Sequence, residues 1–229
     1  MRKDIVKDLQ QYSSKEKAKI LQRFFKTGKG EYGEGDVFVG ITVPNIRIVC
    51  KKYFKDITLE ELDPFLTNEI HEYRLFALLT LVCKFEKADE KLKKDIYEYY
   101  LKNTEYINNW DLVDLTAPKI MVNAEEARLH RLIVSKNMWE QRIAILSTLP
   151  DIKKGQFNNI LAFSEKLINH EHNLIHKALG WMLREVGKRD IKVLRKFLDE
   201  YYTQMPRVML RYSIEKMEKD ERDRYMGRG

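Results

Sequence analysis

A repeat of about 34 residues constrains the fold of this chain more than any other feature of its sequence. The segments 73–81 and 141–149 are similar, and their arginines, Arg74 and Arg142, stand 68 residues apart. Half of that separation is 34, and successive steps of 34 from Arg74 land near the starts of segments with helical periodicity. These steps reach Asn108, Arg142, His176 and Leu210. A register of helical units therefore runs through the chain.

The residues after these points form an apolar stripe. Four and seven positions after each point the side chain is apolar, with one glycine as the exception. The positions are Leu78, Leu112, Leu146, Gly180 and Ile214, then Leu81, Leu115, Leu149, Leu183 and Met217. Helix pairs repeated at such a period bury their faces on one another. Because the tetratricopeptide consensus residues are missing, we predict an all-α fold, a HEAT-like repeat superhelix or α-solenoid.

The same periodicity predicts the individual helices. They span residues 14–25, 44–53, 71–84, 90–102, 111–121, 124–135, 139–149, 173–186 and 191–202. Alternating apolar and polar runs, which would indicate strands, are scarce.

Three side chains lie opposite the stripe. At about 100° per residue, a helical wheel places Trp110, Asp114 and Trp181 on the far face of their helices. A tryptophan at such a position can simply pack against the other helix of its pair, and each tryptophan taken singly favours that interpretation. Asp114 is harder to explain, because an aspartate beside an indole on an inner helix needs partners or water. Arg142 falls on the apolar side of the wheel, which gives it no place in this group.

Composition limits the classes of protein that fit. The chain is 44% hydrophobic and 34% charged, which supplies a core and carries too many charges for a membrane protein. No linker rich in proline, glycine or serine divides it, so we expect one domain over residues 1–229. The formal net charge of +7 suits a phosphate backbone but also occurs in proteins that bind no nucleic acid.

The N-terminus and the cysteines favour a cytoplasmic protein. The first residues follow an amphipathic pattern and not the unbroken apolar run of an export signal. Cys50 and Cys83 lie in apolar stretches without the spacing of a zinc site or a disulfide framework, so small buried thiols are the favoured interpretation. We expect no cofactor and no metal.

Two short motifs are set aside. Residues 28–33 spell the GxGxxG fingerprint of dinucleotide-binding proteins, but they follow an apparent helix where that fingerprint needs a strand. We predict an ordered loop that continues to Gly40. His170 and His172 lack helical ligand spacing and a third ligand nearby, so a solvated turn is favoured over a metal site.

Three motifs together resemble one known family. They are WDLVD at 110–114, WEQRIAIL at 139–146 and HKALGWMLRE at 176–185. At these motifs the sequence resembles the AlkD family of bacterial DNA alkylation repair glycosylases, which are built from HEAT-like repeats, and weaker similarity covers nearly all of the chain. Residues 40–44 are similar to the family's helix-start motif. Thr42 stands where some members carry glutamine, and Asn109 where some carry a second tryptophan, and both departures bear on the substrate range.

The resemblance implies the site residues. In that family an aspartate, an arginine and two tryptophans line a concave, DNA-facing groove. The matching residues of this chain are Asp114, Arg142, Trp110 and Trp181. Asp114 would stabilise an oxocarbenium-like sugar and orient water, and Arg142 would bind a flanking phosphate. The tryptophans would cradle the sugar and the lesion. Further DNA contacts are expected from Lys26, Lys29, Thr42, Arg47, Lys177, Arg184 and Arg211.

The resemblance also implies an activity. It predicts a monofunctional glycosylase that releases 3-methyladenine and 7-methylguanine from double-stranded DNA in base excision repair. Such a protein would be a monomer without an obligate protein partner, associated with the nucleoid through DNA. The alternatives are a HEAT-like module that binds nucleic acid without catalysis and a protein-binding solenoid whose basic excess is incidental. A pure scaffold has no reason to combine Asp114 with two groove tryptophans, which favours the enzyme.

Overall fold

The computed structural model describes residues 1–227, and most of these residues are helical. The helices are α1 Arg2–Gln10, α2 Lys15–Phe24, α3 Val43–Tyr53, α4 Leu59–Leu66, α5 His71–Phe85, α6 Glu90–Lys102, α7 Trp110–Ile120, α8 Glu126–Ile133, α9 Met138–Ser147, α10 Leu149–Lys153, α11 Asn158–Lys166, α12 Asn173–Arg189, α13 Ile191–Tyr201, α14 Arg207–Ser213 and α15 Lys219–Tyr225. Among the described residues the sole β-type pairing is an isolated bridge between Val37 and Ile70. The all-α prediction is confirmed.

Local signals in the sequence determine where several helices begin. Ser14 and Asp89 accept hydrogen bonds from backbone N–H groups in the first turns of α2 and α6. Thr58 and Glu61 form a reciprocal capping box at the start of α4. Each cap binds an N–H group that has no partner within its own helix.

Each predicted helical segment corresponds to a helix of the structure, including α8 with eight residues, but several other short helices were not predicted from periodicity. Among them α4 has eight residues and contains Pro64, and α10 has five residues with a proline in its first turn. A helix of one or two turns presents few apolar positions from which a period can be read. The glycine-rich segment between α2 and α3 is an ordered loop, in which Gly28 and Gly30 donate backbone hydrogen bonds to Glu31 and Glu34.

The helices group into two compact units, one comprising Met1–Ile120 and one beginning at Met121. In the first unit α3, α5 and α7 pack side by side in chain order. Helix α1 packs on α3, α4 on α5, and α6 on both α5 and α7. The single domain over residues 1–229 stays a prediction, and residues 228 and 229 lie outside the described part of the chain.

The second unit repeats this arrangement. Helix α9 packs on α12, and α12 packs on α14. Helix α8 covers α9, α10 lies against both α9 and α12, and α11 and α13 pack on α12. Stacking of helix pairs within each unit is the packing that the 34-residue register predicts, and it is that of an α-solenoid.

The register marks the helices of the stacked series. Arg74 lies in α5, Arg142 in α9, His176 in α12 and Leu210 in α14, while Asn108 lies just before α7. The stripe positions are buried in nearly every case: Leu78, Leu81, Leu112, Leu146, Gly180, Leu183, Ile214 and Met217. Leu115 and Leu149 are half-buried. Leu115 departs from the stripe because α7 presents this residue to a cavity.

No helix within residues 1–227 combines the length and the apolar character needed to cross a membrane.

Helices α12 and α14 of the second unit approach each other closely at a glycine. A Cβ atom at Gly180 would lie 2.5 Å from the backbone oxygen of Met209 and 2.6 Å from the Cβ of Tyr212. The exception in the apolar stripe is therefore the position at which α14 needs the absence of a side chain.

Gly180→Ala is expected to destabilise the protein. Helix propensity alone favours alanine by about 1 kcal/mol, but overpacking against a backbone that must shift costs about 1–3 kcal/mol or more. Urea denaturation should show a net loss of about 1 kcal/mol or more. Gly187→Ala is the matched control on the same helix, because its added methyl meets only the Leu194 side chain. A larger loss at position 187 than at position 180 would contradict the close approach as the cause.

Candidate active site

Trp110 and Asp114 lie one turn apart on α7 and border the same cavity. The cavity has a volume of about 490 Å³ and is lined almost wholly by apolar atoms. Both side chains are half-buried, so they are neither part of the core nor fully solvated. The cavity falls in the size range of small-molecule sites. It also belongs entirely to the first unit. Its walls come from α2, the α2–α3 loop, and the first turns of α3, α5 and α7.

Helix α2 forms one wall of this cavity in an unusual way. None of its residues is buried. Ile20 and Phe24 are 60% and 62% exposed, and with Leu21 and Lys17 they line the cavity. An apolar helix face that ordinarily covers a core therefore faces an open space.

A column of stacked rings extends inward from Trp110. The Trp110 ring stacks on Phe25 with centroids 4.9 Å apart and an interplanar angle of 8°. Phe25 stacks on Phe38 at 4.9 Å, and Phe38 stacks on His71 at 4.5 Å. Phe24 meets the Trp110 ring edge-on at 5.8 Å. Stacked and edge-on contacts at these separations are favourable arrangements of aromatic rings.

The inner end of the column carries a positive charge between two carboxylates. His71 is 1% exposed, and its Nδ1 and Nε2 atoms each lie 2.9 Å from a carboxylate oxygen, of Asp36 and Asp111 respectively. Ionised carboxylates only accept hydrogen bonds, so both ring nitrogens must donate and the ring is an imidazolium. Burial alone would lower the pKa of His71, but the two carboxylates dominate and raise it to about 9.

Asp36 is the centre of this buried polar cluster. Besides His71 it accepts hydrogen bonds from the guanidinium of Arg74 and from Nδ2 of Asn109, the latter at 3.0 Å. Burial alone would raise the pKa of Asp36, yet His71 and Arg74 hold it below its usual value. A buried carboxylate requires such pairing to remain ionised.

The chain entering α7 is bound at each of four successive residues. Asn108 accepts a hydrogen bond from Arg74 at 3.2 Å, and Asn109 donates to Asp36. The Trp110 backbone N–H donates to Oδ1 of Asn109 at 2.8 Å, and Asp111 accepts from His71. The backbone from which Trp110 and Asp114 project is therefore fixed by side-chain hydrogen bonds as well as by the helix.

A second buried carboxylate holds the loop that carries Phe38. Glu72 is 2% exposed and accepts hydrogen bonds from the backbone N–H groups of Val39, Gly40 and Ile41. Gly40 has a φ of 82°, and a Cβ there would lie 2.1 Å from the backbone oxygen of Ser14. Only glycine fits this turn, which fixes the α2 N-terminus beside the loop.

The other two residues that the motifs assign to the site belong to the second unit. Arg142, in the first turn of α9, is 4% exposed, and its guanidinium donates to the backbone oxygen of Leu174. Trp181, in the middle of α12, is half-buried, and its Nε1 donates to Oε1 of Glu185 at 3.3 Å. The structure thus brings Trp110 and Asp114 together at one cavity and describes Arg142 and Trp181 within a different unit. The assignment of these four residues to one site stays a prediction.

The residues predicted to contact DNA divide between the two units in the same way. Those of the first unit are Lys26, Lys29, Thr42 and Arg47, and those of the second are Lys177, Arg184 and Arg211. Lys26, Lys29, Arg47 and Arg211 are exposed. Thr42 is half-buried, immediately precedes α3 and lines the cavity. Arg184 forms an ion pair with Glu215 on the surface.

Sequence reasoning missed most of the residues that build the cavity. Phe24, Phe25, Phe38, His71 and Asp36 were not identified from their spacing. One signal was present, because the dipeptide His71-Glu72 opens α5, whose other residues are the most continuously buried of any helix. Charged groups at the edge of such a helix require partners. Which partners they find depends on a loop that has no period.

Of the two cysteines, Cys50 is fully buried, and this burial raises the pKa of its thiol to about 12. Cys83 is half-buried, and both thiols are free. Within residues 1–227 no group of three or more histidine, cysteine, aspartate or glutamate side chains is arranged to hold a metal ion.

The chain is similar to a known protein family and to a solved structure. The family model described as "DNA alkylation repair enzyme" matches residues 5–217. A solved structure entitled "Predicted DNA alkylation repair enzyme from Enterococcus faecalis" superposes with a TM-score of 0.71 at 18% sequence identity, covering 90% of this chain and 97% of that one. No curated protein matches the chain. The likeness to the Enterococcus faecalis protein shows a shared fold.

The free energy of unfolding is expected to fall as the pH rises from about 6.5 to about 9. The pKa of His71 rises from 6.5 to about 9 in the folded protein. Its contribution to stability is therefore complete below pH 6.5 and is lost as the pH rises through the folded-state pKa. A shift of this size corresponds to at most about 3 kcal/mol.

Urea denaturation at a series of pH values measures this fall. His71→Gln should abolish it, whereas His130→Gln, which removes an exposed histidine on α8, should retain it. A wild-type stability that stays level across the window would contradict the assignment of a buried imidazolium.

Proposed function

The chain belongs to the DNA alkylation repair enzyme family, and we propose that it is a monofunctional DNA glycosylase. It hydrolyses the N-glycosidic bond of cationic N3- or N7-alkylated purines, such as 3-methyladenine and 7-methylguanine, in double-stranded DNA. The observation that carries this proposal is that Asp114 and Trp110, one turn apart on α7, line the same apolar cavity.

The chemistry of the substrate explains why the reaction needs few catalytic groups. Alkylation at N3 or N7 makes the purine cationic, so the base leaves as a neutral molecule when it takes the electron pair of the C1′–N bond. A general acid contributes little to such a departure. The barrier lies in the positive charge that develops on the sugar, as in other glycoside hydrolyses.

Asp114 suits the stabilisation of that charge. A carboxylate in a poorly solvated, preorganised position interacts more strongly with a developing oxocarbenium ion than it would in water. The water molecule that attacks C1′ loses a proton in the same step, and Asp114 orients this water and receives the proton. The products are the neutral alkylpurine and an abasic sugar.

Trp110 contributes through the face of its ring. One face of the indole stacks on Phe25, and this contact helps to hold the ring in place. The electron-rich face of an indole attracts cationic groups, including the sugar in the transition state and an alkylated purine. Trp181 is assigned the same task, and Arg142 the binding of a flanking phosphate, on the strength of the motifs they occupy.

The remaining proposed contacts are with the DNA backbone. Lys26, Lys29, Arg47, Lys177, Arg184 and Arg211 would neutralise phosphates, and Thr42 would contact the strand near the cavity. Such contacts carry no sequence information, which suits an enzyme that must inspect lesions in any sequence. The enzyme would act as a monomer in the cytoplasm, associated with the nucleoid through DNA.

The direct experiment is an assay of base release. Methylated duplex DNA is incubated with the protein, and free 7-methylguanine and 3-methyladenine are quantified by chromatography. Release of either base above the uncatalysed rate supports the proposal. Tight DNA binding without any release would instead favour a HEAT-like module that binds nucleic acid without catalysis.

Asp114→Asn is expected to slow base release by about two to three orders of magnitude. The substitution keeps the size of the side chain but removes the charge that stabilises the sugar cation, and loss of one such contributor typically has this effect. The fall should be larger for 7-methylguanine than for 3-methyladenine, because the N3 lesion departs more readily unaided. Single-turnover rates with DNA binding measured in parallel test this, and binding should survive.

Asp95→Asn provides the matched control. Asp95 is an exposed carboxylate on α6 of the same unit, so its loss should leave the release rate unchanged. Undiminished release by Asp114→Asn would remove Asp114 from the catalytic role.

DNA affinity is expected to fall steeply as salt rises. Each phosphate that the protein neutralises releases condensed counterions, so the logarithm of the affinity declines linearly with the logarithm of the salt concentration. Lys29→Gln should reduce that slope by about one, whereas Lys94→Gln, an exposed lysine of α6 with no proposed contact, should leave it unchanged. Fluorescence anisotropy on duplex DNA between low and physiological salt measures both. A flat dependence in the unmodified protein would contradict binding through phosphates.

A further inference from the structure

His71 is connected to Trp110 by two separate routes. One route follows the backbone, because the Nε2 atom of His71 donates to Asp111, the residue after Trp110. The other follows the ring column from His71 through Phe38 and Phe25 to the indole of Trp110. A change at His71 therefore reaches both the main chain and the side chain of the same residue.

Both connections depend on the positive charge of His71, because only the protonated ring donates hydrogen bonds to Asp36 and Asp111 at once. A neutral imidazole carries one N–H donor, so it could satisfy Asp111 or Asp36 but not both. These two carboxylates are 7% and 6% exposed, which leaves little water to replace a lost donor. Loss of the proton would remove the hydrogen bond of His71 either to Asp111 at the entry to α7 or to Asp36 in the loop that carries Phe38. The other charged groups around the ring are Arg74, which is paired with Asp36, and Glu72, which binds the loop backbone.

We propose that His71 is a positioning residue for base release. As an imidazolium bound to Asp36 and Asp111 and stacked on Phe38, it holds the first turns of α7 so that Trp110 and Asp114 keep the orientation that the reaction requires. This inference rests on the proposed glycosylase function. His71 lines the cavity but is buried, so it acts through its neighbours and not on the sugar.

The geometry makes the reaction sensitive to this arrangement. Trp110 and Asp114 stand four residues apart on one helix, so a small rotation or shift of the α7 N-terminus moves both together. Displacement of a reacting group by about 1 Å can lower a rate about a hundredfold. The affinity for undamaged DNA depends on phosphate contacts elsewhere and should not change.

The first test compares His71→Gln with His130→Gln. Indole N–H signals in ¹⁵N-correlated NMR spectra, assigned by Trp→Phe variants, report separately on Trp110, Trp139 and Trp181. In His71→Gln the Trp110 signal should shift or broaden while the other two stay in place, and single-turnover base release should fall about a hundredfold with DNA affinity unchanged. His130→Gln should alter neither. A folded His71→Gln variant with the wild-type Trp110 signal and release rate would overturn the proposal.

A second variant keeps the proposal testable if His71→Gln fails to fold. Phe38→Leu removes the ring between His71 and Phe25 but leaves the hydrogen bonds of the histidine in place. Because the rings of His71 and Phe25 also lie 5.1 Å apart, the variant tests the part of the ring route that passes through Phe38. It should move the Trp110 signal selectively and lower the release rate, and an unchanged Trp110 signal would overturn that part of the route.

The wild-type protein offers a third measurement that needs no substitution. Raising the pH through about 9 should move the Trp110 indole signal together with the ring nitrogens of His71. Independent titration of the two would count against the proposal. The NMR readouts do not require activity, so a failure of the glycosylase proposal and a failure of the positioning proposal give different results.

Discussion

In a helical solenoid each helix pair buries its apolar stripe against the neighbouring pair. That constraint produces the two stacked series, α3, α5 and α7 in the first unit and α9, α12 and α14 in the second. The register also accounts for the burial of residues such as Leu78, Leu112 and Leu146, which stand at the same position of successive repeats. At Gly180 the same close packing of helices requires a residue without a side chain, since α14 approaches α12 too closely for a Cβ atom.

A stack of this kind leaves the ends and loops of its helices to build a site. In the first unit the cavity is bordered by α2, the α2–α3 loop and the first turns of α3, α5 and α7. The residues that hold this region together are polar and buried, and they join the α2–α3 loop to α5 and α7 through Asp36, His71 and Asp111. The stacked helices thus determine where the cavity residues lie, and the hydrogen bonds between the α2–α3 loop, α5 and α7 determine how their side chains are oriented.

The sequence allowed the repeat and the stacked helices to be predicted, because an apolar side chain at a fixed step leaves a visible period. It also indicated Trp110 and Asp114, whose character conflicts with the stripe around them. The ring column could not be predicted in the same way. Phe25 stacks on Trp110 and Phe38 stacks on Phe25, and the loop that carries Phe38 is held by Glu72 and by the close approach of Gly40 to Ser14. Contacts made across some 80 residues by an aperiodic loop leave no signature in local spacing. The short helices α4 and α10 were missed, and each contains a proline, whereas α8, as short as α4, was predicted from its periodicity.

In helix α2 the shape of the cavity wall can change without a large change in the stability of the fold, although these two properties are usually coupled in an enzyme. Because α2 buries none of its residues, substitutions along its cavity face alter the wall that a substrate meets while changing little of the free energy that holds the fold. Most active-site walls are also core, and each change to them draws on the small margin of stability that a natural protein has. Ile20, which is 60% exposed, lies outside that trade-off. If the proposed function is correct, the wall that a lesion meets can be altered at α2 without first acquiring compensating mutations elsewhere, which makes this helix the natural place to begin directed evolution.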